Sequence, residues 1–186
     1  MLPGLYDYHN GPCRGIIISQ FPLSADYKVD FAFVSVDSMR LQFTLVEIED
    51  PDKTIFNEDY SFSQPFNHAL QQIRDYKRWA ENNKDTLLTM FADLFQGYNV
   101  HNDIKAVQSY LVCGRRRLVD SPQKARERWS SLQVASKDDV GVMTYDRLMA
   151  EIAIMPMDTI QHTLAVCSYR ERGFFLKPET LAMDRM

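Results

Sequence analysis

Asp30 opens one apolar, β-branched run of this chain, and Glu47 and Glu49 close the next. A carboxylate at the end of a buried strand is costly, because loss of water opposes its charge unless a cation or hydrogen-bond donors balance it. Three acids brought together in this way describe a site for a divalent cation. Hard oxygen ligands suit Mg2+ or Mn2+, with waters completing the shell. An ion of that kind polarises a phosphoryl oxygen and activates water, which is the chemistry of phosphodiester hydrolysis.

The elements that must position these acids follow from periodicity. Gly15 to Gln20 reads as a strand interrupted by Pro22, and Tyr27 to Asp37 as a second. After a turn at Asp37-Ser38, Arg40 to Glu49 (RLQFTLVEIE) forms a third. Its alternation puts Leu41, Phe43, Leu45, Glu47 and Glu49 on one face, as two ligands of one ion require. Asp50-Pro51-Asp52 ends that strand, and Lys53 to Phe62 reads as a polar loop. Ser63 caps a helix with Pro65 in its first turn, running to about Asn82.

Beyond it the pattern gives a helix over Leu87 to Phe95, ended by Gly97, and a strand from Ile104 to Cys113. Gly114 and the basic run Arg115-Arg116-Arg117 follow. A helix from Ser121-Pro122 to about Leu132, a short strand from Val140 to Thr144 and the helix TYDRLMAEIA come next. The tail reads as a peripheral strand (His162 to Tyr169) and turn. This order of strands and helices is an α/β layer architecture with a mixed sheet.

The helix after the acids carries His68, Gln72 and Tyr76 on one stripe at i, i+4 spacing. Gln72 can orient a carboxylate or a water through its amide; its plainer alternative is a surface residue. Tyr76 divides between core packing and the site. His68 divides between a helix-start hydrogen bond and a contact with the scissile phosphate. Arg115 and Arg116 follow a strand and a glycine, so their side chains reach past the sheet end toward a phosphate backbone. The competing reading for them is a solvated turn paired with acids such as Asp120.

The whole chain sets bounds. At 186 residues, 45% apolar, it suits one compact domain with a sizeable core. A net charge of −4 excludes a protein basic all round, though not a local basic groove. Cys13, Cys113 and Cys167 are too widely spaced for a disulfide scaffold or zinc knuckle, so a reducing cytoplasm is the expected setting. No apolar stretch reaches membrane-spanning length.

Asp30, Glu47-Ile48-Glu49 and Gln72-x-x-x-Tyr76, in that order, resemble the PD-(D/E)xK nuclease superfamily in its RecB-like branch. More narrowly, LVEIEDPDKTIF, NHALQQIRDYKRW, YLVCGRR and the MTYDRL segment resemble the nuclease domain of Shedu antiphage defence proteins, over roughly Asp26 to Ile152. The resemblance implies a restriction-endonuclease-like mixed β-sheet flanked by helices. It also implies Mg2+-dependent cleavage of DNA, with Mn2+ able to substitute, and a role in bacterial immunity against phage or plasmids. A homo-oligomer (dimer or tetramer) is implied as well, together with an N-terminal sensing region or partner protein.

On that basis residues 1–14 are an irregular lead-in, 15–154 the nuclease domain and 155–186 a peripheral strand and tail. Asp30, Glu47 and Glu49 are the expected metal ligands and, with Gln72, the expected catalytic set. His68, Tyr76, Arg115 and Arg116 are the expected DNA contacts. One departure stands out: the superfamily pattern has Lys where this chain has Glu49. Lys53 and Lys77 are the candidates for a relocated positive charge. The missing Lys also supports a rival reading, a catalytically silent DNA-binding or oligomerisation module on the same fold. An RNA-directed nuclease or another phosphodiesterase is a third. No residue here reads base edges, so little intrinsic sequence specificity is expected.

Overall fold

The computed structural model describes residues 15–37, 40–91, 103–153, 164–170 and 173–176. Runs rich in Ile, Val and Phe form the central strands: β1 (Gly15–Pro22), β2 (Lys28–Asp37), β3 (Arg40–Ile48) and β4 (Ile104–Val112). Between β3 and β4 lie helices α1 (Gln64–Asn82) and α2 (Lys84–Phe91). After β4 come α3 (Arg116–Val119), α4 (Gln123–Ala135), β5 (Gly141–Met143), α5 (Tyr145–Ala153), β6 (Leu164–Arg170) and β7 (Gly173–Leu176).

The strands make one seven-stranded mixed sheet in the order β5-β4-β3-β2-β1-β6-β7. The β1-β2, β2-β3 and β6-β7 pairs are antiparallel, whereas β3-β4, β4-β5 and β1-β6 are parallel. This is an α/β fold consistent with the restriction-endonuclease-like architecture expected from the sequence.

Both faces of the central strands are covered, so their sequences are almost continuously apolar. On one face Ala32, Val34, Phe43 and Leu45 join Phe66 and Ile73 of α1, which lies across β3 and β4. On the other Phe33, Val46 and Val112 meet Leu148 of α5. Ser63 caps α1 as its sequence foretold, accepting the Phe66 N–H at 3.2 Å.

Several expectations need adjusting. β1 runs through Pro22, its last residue, opposite Lys28, an end position that tolerates a residue without an N–H. The stretch from Lys53 to Phe62 is not simply a polar loop. Ile55 is buried, Phe56 stacks on Phe62 with ring centres 5.2 Å apart, and Phe62 stacks on Phe66 at 4.9 Å. Apolar area taken from water outweighs the polar residues around it. α2 begins at Lys84, before the expected Leu87, while Phe95 and Gly97 lie outside the described residues. α4 extends past Leu132 to Ala135. Arg116 and Arg117 stand not in an open turn but in a single helical turn. The tail supplies two strands, β6 against β1 and β7 beyond it, which extend the sheet. The lead-in from Met1 to Arg14 lies outside the described residues, and no described helix is long and apolar enough to cross a membrane.

Gly114 marks the exit from β4. Its φ of +63° favours glycine, and a Cβ there would stand 2.5 Å from Ile55 Cδ1. Its carbonyl accepts the Tyr145 N–H at 3.1 Å, joining the ends of β4 and β5. Gly114→Ala is therefore expected to cost about 1–3 kcal/mol from backbone strain and overpacking together. Urea denaturation of the variant beside the parent protein measures it.

Candidate active site

The acids gather where β2 begins and where β3, β4 and β5 end. The β2–β3 register pairs Phe31 with Val46, which sets Asp30 opposite Glu47 on the face covered by α1. The Asp30 N–H points to Glu47 Oε2 at 3.4 Å. The β1–β2 register likewise sets Gln20 beside Asp30, and Gln20 Nε2 donates to Asp30 Oδ1 at 2.8 Å. Asp30 Oδ2 accepts the Ile48 N–H at 2.9 Å. One polar row thus crosses three strands, held by the backbone ladder on either side of it.

From above, α1 lowers Gln72 onto this row. Its Nε2 donates to Glu47 Oε1 at 2.8 Å and lies 2.7 Å from the Tyr76 hydroxyl. Tyr76 is itself buried, its ring 5.3 Å from that of Tyr27. It reaches the site through its hydroxyl rather than from the surface, and burial raises its pKa. His68 is exposed one turn earlier on the same helix.

Glu47 is only 8% exposed, and the cost is visible in its chemistry. Burial first, then the adjacent Asp30 carboxylate, raise its pKa to about 7 from an ordinary 4.5, while the Asp30 N–H pulls the other way. Glu49 pushes it further up and Lys53 partly relieves it. Glu49 does not complete a three-acid cage: its Oε2 lies 2.6 Å from Lys53 Nζ. Among the described residues no three or more His, Cys, Asp or Glu side chains form a group able to hold a metal by themselves. Two adjoining carboxylates still fit Mg2+, which typically takes one or two together with waters and substrate phosphate. Burial first and the neighbouring acids second raise the pKa of Glu47, so any cation placed against it would favour its charged form.

Arg115 lies at the rim, its guanidinium 5.8 Å above the Tyr145 ring. The Tyr145 hydroxyl donates to the Glu49 carbonyl at 2.5 Å, linking this arginine to the end of β3. Arg116 is exposed, and its backbone N–H is held by Asp146 at 2.7 Å. Of the two lysines considered for a relocated charge, only Lys53 meets an acid of the site. Lys77 donates instead to the Asp138 and Asp139 carbonyls.

A family model for the Shedu protein SduA, C-terminal, matches residues 11–149, well over half of the chain. The chain belongs to that family. No curated protein matches it. Membership ties this Shedu chain to antiphage defence, and the matched span contains every site residue above.

Three neighbours of the Shedu site were not among the expected site residues. Gln20 orients Asp30, Tyr27 backs Tyr76, and Tyr145 holds the Glu49 carbonyl. Gln20 had one available signal: an amide at the polar end of an apolar strand, facing Asp30 across the hairpin.

A carboxyl whose pKa rises on folding holds a proton that the unfolded chain has lost, so the fold loses stability as pH climbs from 4.5 to about 7. The loss amounts to about 3 kcal/mol. In metal-free buffer at pH 8, Glu47→Gln is therefore expected to melt about 6–12 °C above the parent. The gap should close below pH 5. Thermal denaturation across that range measures both.

Proposed function

We propose that this domain is a Mg2+-dependent DNA endonuclease of bacterial defence against phage or plasmids. The observation that carries the reading is the Asp30–Glu47 pair: two carboxylates side by side, one of them buried and short of positive charge. Membership of the Shedu family supports it. Asp30 and Glu47 would hold the ion, with Glu49 at its edge. When bound, the ion supplies Lewis-acid stabilisation of the charge that develops on the phosphate.

The remaining work falls to the chain itself. Gln72 keeps Glu47 Oε1 engaged and so fixes the direction of the other oxygen. Gln20 and the Ile48 N–H do the same for Asp30. These contacts spare the site reorganisation during the reaction. Arg115 and Arg116 stand exposed at the carboxyl end of β4, where an open α/β sheet normally receives its ligand, and would hold the DNA backbone. His68 lies on the stripe that leads from Gln72 to the solvent and would meet the phosphate there. Mn2+ would substitute for Mg2+ on the same oxygen ligands.

The engaged Glu49 favours a second reading, a silent DNA-binding module, because an acid already paired with Lys53 is less available as ligand or base. One experiment separates the two. Plasmid and linear DNA are incubated with the protein and Mg2+ or Mn2+, beside Glu47→Ala. The expected outcome is cleavage that needs the metal and falls at least about a hundredfold in the variant. DNA binding without cleavage under either metal would favour the silent module.

A further inference from the structure

The turn after β3 does more than reverse the chain. Asp52 N–H is held by Asp50 Oδ1 at 2.7 Å and Lys53 N–H by the Asp50 carbonyl at 3.0 Å. This folds Lys53 back along the strand end, with its ammonium against Glu49. Both side chains remain about one-fifth exposed, at 23% and 20%. The pair joins residues four apart at the end of one strand and ties no two elements together, so holding the fold together is a poor account of it. What Lys53 does supply is a unit positive charge beside acids that repel one another.

The ammonium holds one oxygen of Glu49, Oε2, and a divalent ion drawn to that carboxylate would compete with it there. Between charges at such short range the interaction scales with their product, so a divalent ion is drawn to the acids about twice as strongly as the lysine. The lysine is anchored by its turn and carries a flexible stem. Freed from Glu49, its compact charge stays within reach of the same spot, where a phosphate group would lie.

We infer that Lys53 is a resident counter-ion of the acid cluster, which yields Glu49 to the divalent cation and then faces the substrate phosphate. This rests on the reading of Asp30 and Glu47 as a metal site. Lys53 has two opposed effects: it weakens metal binding, and it assists the step that follows. A residue that merely braced the turn would have neither.

The test is calorimetric titration of the DNA-free protein with Mn2+, in the parent, Lys53→Met, Lys53→Arg and Glu47→Ala, followed by cleavage at saturating Mn2+. Lys53→Met is expected to bind Mn2+ about three- to tenfold more tightly, since a like charge has been removed. Its cleavage rate at saturation should nevertheless fall at least about tenfold. Lys53→Arg, which keeps the charge, should stay close to the parent in affinity. Unchanged or weaker Mn2+ affinity in Lys53→Met overturns the inference, as does an undiminished rate at saturation. If the parent binds no Mn2+, or Glu47→Ala binds it as well as the parent, the metal site itself falls and this inference with it. Loss of Mn2+ binding in Glu47→Ala alongside an indifferent Lys53→Met removes only the role of Lys53.

Discussion

The structure turns on a carboxylate placed where charge is unwelcome. Glu47 sits near the end of a strand whose other residues on its face are Leu41, Phe43 and Leu45, under a helix, and beside a second acid. Nothing in packing demands a charged group there; a leucine would suit the surrounding core better. The protein accepts this arrangement by surrounding it with donors. The Gln72 amide and the Asp30 N–H address Glu47, and Gln20 with the Ile48 N–H address Asp30. Each oxygen is directed, yet the charge stays short of a counter-ion. Such a balance fixes geometry without neutralising it, as a site poised for a cation and a phosphate requires.

The parallel half of the sheet explains why everything else assembles at one end. β3, β4 and β5 point the same way, so Glu49, Arg115 and Tyr145 all leave the sheet together. The Tyr145 hydroxyl on the Glu49 carbonyl and its N–H on the Gly114 carbonyl tie these exits into one rim. Arg115 over Tyr145 therefore stands on a support that is continuous with the acids. The rim is the chemical end of the molecule, and the antiparallel β1–β2 hairpin contributes Gln20 and Asp30 to it, with Tyr27 behind Tyr76.

Much of this was legible in the residues. The alternation of RLQFTLVEI gave the strand and the face of Glu47, and the stripe of Phe66, Ile73 and Tyr76 gave α1. The Ser63 cap followed from one residue type before a proline-containing first turn. What sequence could not give was side-chain choice beyond the strand end. Glu49 follows the last β3 residue, so strand periodicity no longer governs it, and a lysine four positions on claims its carboxylate. Tyr76 shows the limit from the other side. An aromatic residue on a helix stripe looks like core, and its ring is core, but its hydroxyl serves the polar row. Composition cannot separate two roles held by one side chain. The Lys53 to Phe62 stretch misled for a similar reason: its polar majority hides three aromatic or aliphatic anchors, Ile55, Phe56 and Phe62.

Asp30 and Glu47 meet because they are cross-strand partners, and the same pairing sets Ala32 beside Leu45 and Val34 beside Phe43. A slip of one position would set the two acids on opposite faces, and it would also take Phe43 and Leu45 from the face they share with α1 and put Gln42 and Thr44 there instead. The hydrophobic interior thereby acts as proofreader for the chemistry. A chain that has paired these strands wrongly sets polar side chains against α1, so misaligned copies lose the packing of that helix before they could ever fail to react.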